Sequence, residues 1–287
     1  MSIVAEKVSY VYMPGSPFEA EALSDVSFTI SDGEFVGIIG HTGSGKSTLV
    51  QHFNALIKPT SGKITVQGVD IGEKGISLNS LRQKVGLVFQ YPEYQLFEET
   101  VEKDVAFGPK NLGLPEEEIQ CRVAEALRLV GLDQQKVGMR SPFELSGGQR
   151  RRVALAGVLA MNPEVLILDE PSAGLDPHGR NEILALVSAI HRERGCTVIM
   201  VSHSMDEVAR VASRVMVMNH GRLVMDGSPR EVYTQGEKLQ QIGLGVPATV
   251  QLSQLLRARG LVVPEGILSL QEMAQWVLKQ CKEAGHV

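Results

Sequence analysis

The chain has 287 residues, 43% of them hydrophobic, with 13 prolines and a formal net charge of −5. This is an ordinary globular composition, sized for one large α/β domain with an appendage or for two small domains, and its negative balance argues against a dedicated nucleic-acid binder, which must neutralise phosphates with basic side chains. Cys121, Cys196 and Cys281 are odd in number and far apart, so they give neither a disulfide framework nor metal-ligand spacing and suggest a reducing cytosolic setting.

Before the first glycine-rich loop, apolar and polar positions alternate (Val8, Tyr10, Tyr12; then Val26, Phe28, Ile30), which predicts half-buried strands. Phe35 to Ile39 is a short apolar strand running into that loop. A helix is expected over Lys46 to Ile57, stopped by Lys58-Pro59-Thr60-Ser61-Gly62, with strands at Ile64–Val66 and Val85–Phe89. From Tyr91 to Ala160 the pattern is mostly helical, and Glu116, Glu117 and Glu118 after Pro115 complement a helix N-terminus. Arg150-Arg151-Arg152 reads as a solvated helix face. Strand–helix alternation returns with Val165–Leu168, His178–Arg194, Thr197–Val201 and Met205–Ala212, as in a parallel sheet wrapped by helices. Beyond Gly245 the tail has helical periodicity, with Leu270, Met273, Ala274 and Val277 on one face. No signal-peptide stretch opens the sequence and no run approaches the ~20 apolar residues of a membrane span, so a membrane role is expected only through a partner.

Two sets of residues carry phosphate chemistry. Gly40-His41-Thr42-Gly43-Ser44-Gly45-Lys46-Ser47-Thr48 is a full match to GxxxxGK[ST], preceded by a strand and followed by a helix. Its glycines let backbone N–H groups approach phosphate oxygens, and the helix adds its positive end. Lys46 is expected between the β- and γ-phosphates, and Ser47 on Mg²⁺. Asp169 follows the apolar strand Val165–Leu168, where ligands of open α/β sheets bind, and is expected to hold the metal through water. Glu170 is the candidate general base.

With Leu145-Ser146-Gly147-Gly148-Gln149 between them, these motifs resemble the ATP-binding cassette ATPases over roughly residues 3–235. The resemblance implies a P-loop NTPase core with an N-terminal antiparallel β subdomain, a helical subdomain at about 91–160, and a cassette domain over 1–245 followed by a helical extension over 246–287. It implies that Ser146, Gly147, Gly148 and Gln149 complete the ATP site of a second cassette. Gln90 resembles the glutamine that senses Mg²⁺ and water, Asp176 the aspartate at the dimer seam and His203 the switch histidine. Tyr12 matches the ring that stacks on adenine, although Tyr10 shares its strand face and either could be a core residue.

The stretch Gln90-Tyr91-Pro92-Glu93-Tyr94-Gln95-Leu96-Phe97, then Asp104-Val105-Ala106-Phe107-Gly108-Pro109, looks like the ATPases of energy-coupling factor transporters. Pro14-Gly15-Ser16-Pro17-Phe18 and the His41-Thr42 pair resemble the second of their two paralogous ATPases. That implies an ATP hydrolase on the cytoplasmic side of a prokaryotic membrane, pairing with a paralogous ATPase rather than with itself. Its membrane partners would be a transmembrane coupling (T) subunit and a substrate-binding (S) subunit importing vitamins or transition-metal ions. Tyr91, Tyr94, Leu96 and Phe97 are expected to form the contact surface. The alternative is a non-transport cassette protein in DNA repair, chromosome structure or translation. The short spacing between the two motif sets, without heptads, argues against the chromosome type, and the single P-loop argues against the translation type.

Overall fold

The computed structural model describes residues 2–283. Antiparallel β1 (Ile3–Tyr12) and β2 (Ala20–Ile30) open the chain, and β3 (Phe35–Ile39) delivers the glycine-rich loop to α1 (Lys46–Phe53). After β4 (Ser61–Val66) and β5 (Val69–Asp70), α2 (Leu78–Lys84) leads into β6 (Val85–Val88). A 3-10 turn (Pro92–Gln95) precedes α3 (Val101–Asn111), α4 (Glu116–Leu129), α5 (Gln134–Val137) and α6 (Gly147–Leu159). The α/β pattern resumes with β7 (Val165–Asp169), α7 (Pro177–Arg194), β8 (Thr197–Val201), α8 (Met205–Val211), β9 (Arg214–Asn219) and β10 (Arg222–Gly227). Helices α9 (Pro229–Tyr233), α10 (Gly236–Gln241), α11 (Ala248–Ala258) and α12 (Leu270–Glu283) follow.

The strands form two sheets. One is antiparallel with order β2-β1-β4-β5; the other has order β10-β9-β3-β8-β7-β6, parallel apart from its β10 edge. Both faces of the larger sheet are covered, which is why its strands read as unbroken apolar runs. Side chains alternate between two cores. Val36, Ile38, Val165, Ile167, Ile199 and Val201 pack with the antiparallel sheet and α1. Phe35, Ile39, Leu166, Leu168, Val198 and Met200 pack with the helices on the other side.

Some expectations shift. The helix from Lys46 stops at Phe53 rather than Ile57, because Asn54 caps it and Ala55 turns the chain at φ 52°. On α12, Met273 is buried against Val263 and Ile267 with Trp276 alongside, whereas Leu270 is 77% exposed. The buried side is therefore rotated from the expected 270/273/274/277 face, because the apolar support near it comes from Val263, Ile267 and Leu256. Among the described residues, no helix is long and apolar enough to cross a membrane.

Strand β3 lies tight under α8, the helix that follows the β8 end. A Cβ at Gly37 would stand 2.3 Å from Val208 Cγ1. Gly37→Val should therefore destabilise the protein by about 1–3 kcal/mol through overpacking. Urea unfolding would read this as a lower midpoint, and an unchanged midpoint would show that α8 is free to move away.

Candidate functional site

Four adjacent parallel strands, β3, β8, β7 and β6, point their carboxyl ends at one place. Polar groups can appear there because the strands themselves are sealed in apolar cores, so chemistry emerges where the chain leaves the sheet. The 40–48 loop leaves β3, His203 follows β8, Asp169 and Glu170 end β7, and Gln90 follows β6. Together they line a cavity of about 720 Å³.

The loop is forced by its backbone. Gly45 sits at φ 98°, and a Cβ there would stand 2.5 Å from the Ala22 carbonyl oxygen. Lys46, the first residue of α1, is buried, and its Nζ donates to the carbonyls of Gly40 at 2.8 Å and His41 at 2.9 Å. Burial lowers its pKa, against the opposing pull of Glu170 and Asp169. His41 ties the loop to the β9–β10 turn, with Nε2 2.9 Å from Asn219 Oδ1. Thr42, Gly43 and Ser47 are exposed, and Ser44 is buried.

Across the cavity, burial raises the pKa of Asp169, while the Ser47 hydroxyl and the Lys46 ammonium hold it back. Its Oδ1 is buried without a hydrogen-bond partner. Glu170 sits at φ 52°, with its amide donating to the Val201 carbonyl. Burial raises its carboxyl pKa too, countered by His203, whose Nδ1 lies 2.7 Å from Oε2. The His203 side chain is 74% exposed and the Glu170 side chain 14% exposed, so the acid is shielded behind a ring that faces solvent. An orphaned carboxylate oxygen beside a serine hydroxyl, with the exposed Gln90 at the rim, is an oxygen donor set that suits a hard divalent cation such as Mg²⁺. Among the described residues, no cluster of three or more His, Cys, Asp or Glu could hold a metal. A cation here would therefore need further oxygens from a bound phosphate.

Other expected residues lie outside this cavity. Ser146 caps α6, accepting from the Gln149 amide at 3.3 Å while Gln149 Oε1 accepts from the Ser146 amide at 3.1 Å. Ser146, Gly147 and Gly148 are exposed. Asp176 caps α7 and is exposed as well. Tyr12 stands beside the loop, 38% exposed, its hydroxyl 3.2 Å from Thr48 Oγ1. Tyr10 packs against the core and meets Tyr12 edge-on at 4.8 Å.

Two features differ from the sequence reading. Arg151 does not belong to a solvated face; it is buried, with its guanidinium on Glu93 and on two backbone carbonyls. Leu96 is buried in the helical core, leaving Tyr91, Tyr94 and Phe97 exposed. The sequence reading also missed Met205 and the Gly243-Leu244-Gly245 segment, which line the cavity. A glycine-flanked leucine beyond the last strand is too weak a signal to find them.

Asp169 offers a test of this electrostatic picture. A carboxyl whose pKa is raised on folding contributes stability at low pH, and that stability is lost as pH rises through the folded-state value. At neutral pH the ionised group is a cost. Asp169→Asn should therefore raise the melting temperature of the nucleotide-free protein at pH 7, where about 1 kcal/mol corresponds to about 2–4 °C. The excess should vanish towards the ordinary carboxylate range. A lower melting temperature at pH 7 would mean that Ser47 and Lys46 outweigh burial.

Comparison with known proteins identifies the family. The family described as ABC transporter matches residues 23–173. The energy-coupling factor transporter ATP-binding protein EcfA2 of Clostridium perfringens (strain 13 / Type A) is 55% identical over 279 residues, covering 97% of this chain and 98% of that protein. The protein of the same name from Symbiobacterium thermophilum is 58% identical over 272 residues, covering 95% and 94%. Among solved structures, cbiO1 of C. perfringens, part of the ABC transporter complex cbiONQ, is 40% identical with a TM-score of 0.75, covering 88% of this chain and 98% of that one. The cassette MJ0796, solved as a dimer bound to ADP and Pi, is 29% identical with a TM-score of 0.68, covering 79% and 99%. The chain belongs to the ABC transporter ATPases and, within them, to the energy-coupling factor transporter ATP-binding proteins.

Proposed function

We propose that this chain is the ATP-hydrolysing subunit of an energy-coupling factor importer, with its cassette over residues 1–245 and a helical extension over 246–287. The observation that carries the reading is a divided site: the 40–48 loop, Asp169, Glu170, His203 and Gln90 share one cavity, while the Ser146 cap of α6 lies exposed outside it. A helix N-terminus with free amides binds anions. An exposed one that takes no part in the phosphate site of its own chain suits closure of two cassettes around two nucleotides.

In this reading ATP enters with its adenine on Tyr12 and its phosphates in the loop amides of Gly40 to Thr48. Lys46 exchanges its two carbonyl partners for phosphate oxygens, which removes the cost of a buried ammonium held by neutral acceptors. Mg²⁺, held by Ser47, Gln90 and, through water, Asp169, would supply charge neutralisation on the phosphates. Glu170 takes the proton of the attacking water, and its raised pKa makes it a stronger base than an exposed carboxylate. His203 orients Glu170 and faces the terminal phosphate. Ser146, Gly147, Gly148 and Gln149 cap the nucleotide of the opposing cassette, with Asp176 at the seam. Hydrolysis then reopens the pair.

The partners in this reading are a paralogous ATPase, a transmembrane coupling subunit and a substrate-binding membrane subunit, with the chain peripheral on the cytoplasmic side of the membrane. Support comes from a groove of about 360 Å³ between the central sheet and the helical subdomain, rimmed by Leu56, Phe97 and Phe107. These three are 44%, 58% and 43% exposed, an apolar lip suited to a partner helix. The DNA-repair and translation alternative has no comparable support. Detergent purification should bring the chain out with a second ATPase and two membrane proteins, and purification with nucleic acid instead would sink the transport reading.

Glu170→Gln should cut phosphate release by about 10²–10⁴-fold while leaving ATP affinity near wild type. Wild-type turnover should fall on the acid side at a pH above the ordinary carboxylate range, because burial keeps Glu170 protonated there. His203→Ala removes the group that lowers the Glu170 pKa, so its acid limb should move to higher pH; a shift to lower pH would exclude Glu170 as the base. Ser146→Arg should leave nucleotide binding to the isolated chain intact, since Ser146 is outside the cavity, yet abolish turnover in the assembled complex. Normal turnover would rule out the composite site.

A further inference from the structure

Arg151 is a buried cation that the proposed chemistry does not use. It lies on α6, five residues beyond the Ser146 cap, and is 5% exposed. Its Nε donates to Glu93 Oε2 at 3.0 Å and its Nη2 to Glu93 Oε1 at 2.7 Å, a bidentate pair. Its Nη1 donates to the carbonyls of Pro171 at 3.2 Å and Ala173 at 3.0 Å. Glu93 lies three residues after Gln90, and Pro171 directly follows Glu170. One side chain thus joins α6 (the signature helix, named for the Leu145–Gln149 motif at its start), the segment leaving β6 and the segment leaving β7.

The same joint has further ties. The Ala173 amide donates to the Glu170 carbonyl, and Ser172 Oγ donates to Glu207 Oε2 at 2.6 Å inside the protein. The Tyr91 ring lies over Gly174, 3.1 Å from where a Cβ would sit. Burial pushes the Glu93 carboxyl up, but the Arg151 hydrogen bonds, a backbone hydrogen bond and the charges of Arg151 and Arg150 together leave its pKa lowered, so the pair is ionised. A buried ion pair is weak evidence for stability, because well-packed apolar residues serve as well. What a planar fork with several donors adds is fixed geometry between the segments it bridges.

We infer that Arg151 is a positioning residue that ties the signature helix to Glu170 and to the Gln90 segment of its own cassette, so that nucleotide engaged by Ser146 on the opposing cassette sets the geometry of hydrolysis at this one. This rests on the divided-site reading above. It makes each site sense the other through four hydrogen bonds.

The test compares the assembled transporter with one carrying Glu93→Leu together with Arg151→Met. Removing both charges avoids stranding either in the interior, so folding should be kept. Glu93→Gln, which leaves a neutral acceptor for the guanidinium, is the second variant. The double variant should lose on the order of 10- to 100-fold in kcat, as expected when reacting groups are slightly misplaced. Its KM for ATP should stay within about twofold, since the loop contacts are untouched. Any cooperativity of hydrolysis with ATP in the wild type should flatten, and Glu93→Gln should fall between the two. Unchanged kcat and unchanged cooperativity in both variants would overturn the inference. So would a kcat loss matched by equal losses in nucleotide affinity and melting temperature, which is the mark of a purely structural pair. Absence of ATPase activity in the wild-type assembly would instead sink the transport reading itself, so the two failures are distinguishable.

Discussion

Burial of the central sheet on both faces is the constraint from which the site follows. Apart from Gly37 and the opening Thr197, strands β3, β7 and β8 carry apolar side chains into one core or the other until they reach their carboxyl ends. A polar or charged group inside such a strand would lose its water without a partner, at a cost of several kcal/mol. Asp169, Glu170, His203 and the 40–48 loop therefore appear where the strands stop, and parallel alignment brings those stops together. The wall of one core is thus also the floor of the candidate site.

At that floor a cation and two carboxylates sit partly out of water. Burial lowers the pKa of Lys46 and raises those of Asp169 and Glu170, and each group is partly held ionised by the others. Lys46 donates to two backbone carbonyls, and one buried Asp169 oxygen has no hydrogen-bond partner. Such a site is unfavourable on its own and improves when anionic phosphate and a cation arrive. In the proposed reading, nucleotide binding and the basicity of Glu170 draw on the same desolvation.

The extension beyond β10 reaches this chemistry from behind. Buried Tyr233 donates its hydroxyl to the Met205 carbonyl at 3.2 Å, and the Ala248 amide donates to Asp206 Oδ1 at 2.9 Å. Both bonds land on the first turn of α8, two and three residues after His203. Leu244 and Val246 join the main core, and Gly243 to Gly245 edge the cavity. Residues 233–248 therefore brace the first turn of α8 next to His203, whereas α12 rests through Met273 on a small separate cluster with Val263 and Ile267.

Sequence by itself determined what depends on local covalent pattern. The loop glycines, the apolar run ending in Asp169 and Glu170, and the Leu145–Gln149 pentapeptide are readable because each spacing answers to one backbone conformation or one strand end. The strand–helix alternation likewise fixed an α/β sheet. Tertiary structure alone decided the rest. The burial of Arg151 and its three partner residues depends on segments 20–22 and 58 residues away in sequence folding against α6. The choice of Tyr10 for the core and Tyr12 for the surface, and the arrival of Gly243 to Gly245 at the cavity, were settled in the same way. Local pattern reports which way a side chain leaves its own element; only long-range packing determines what stands opposite it, and so whether a charge meets water or a partner.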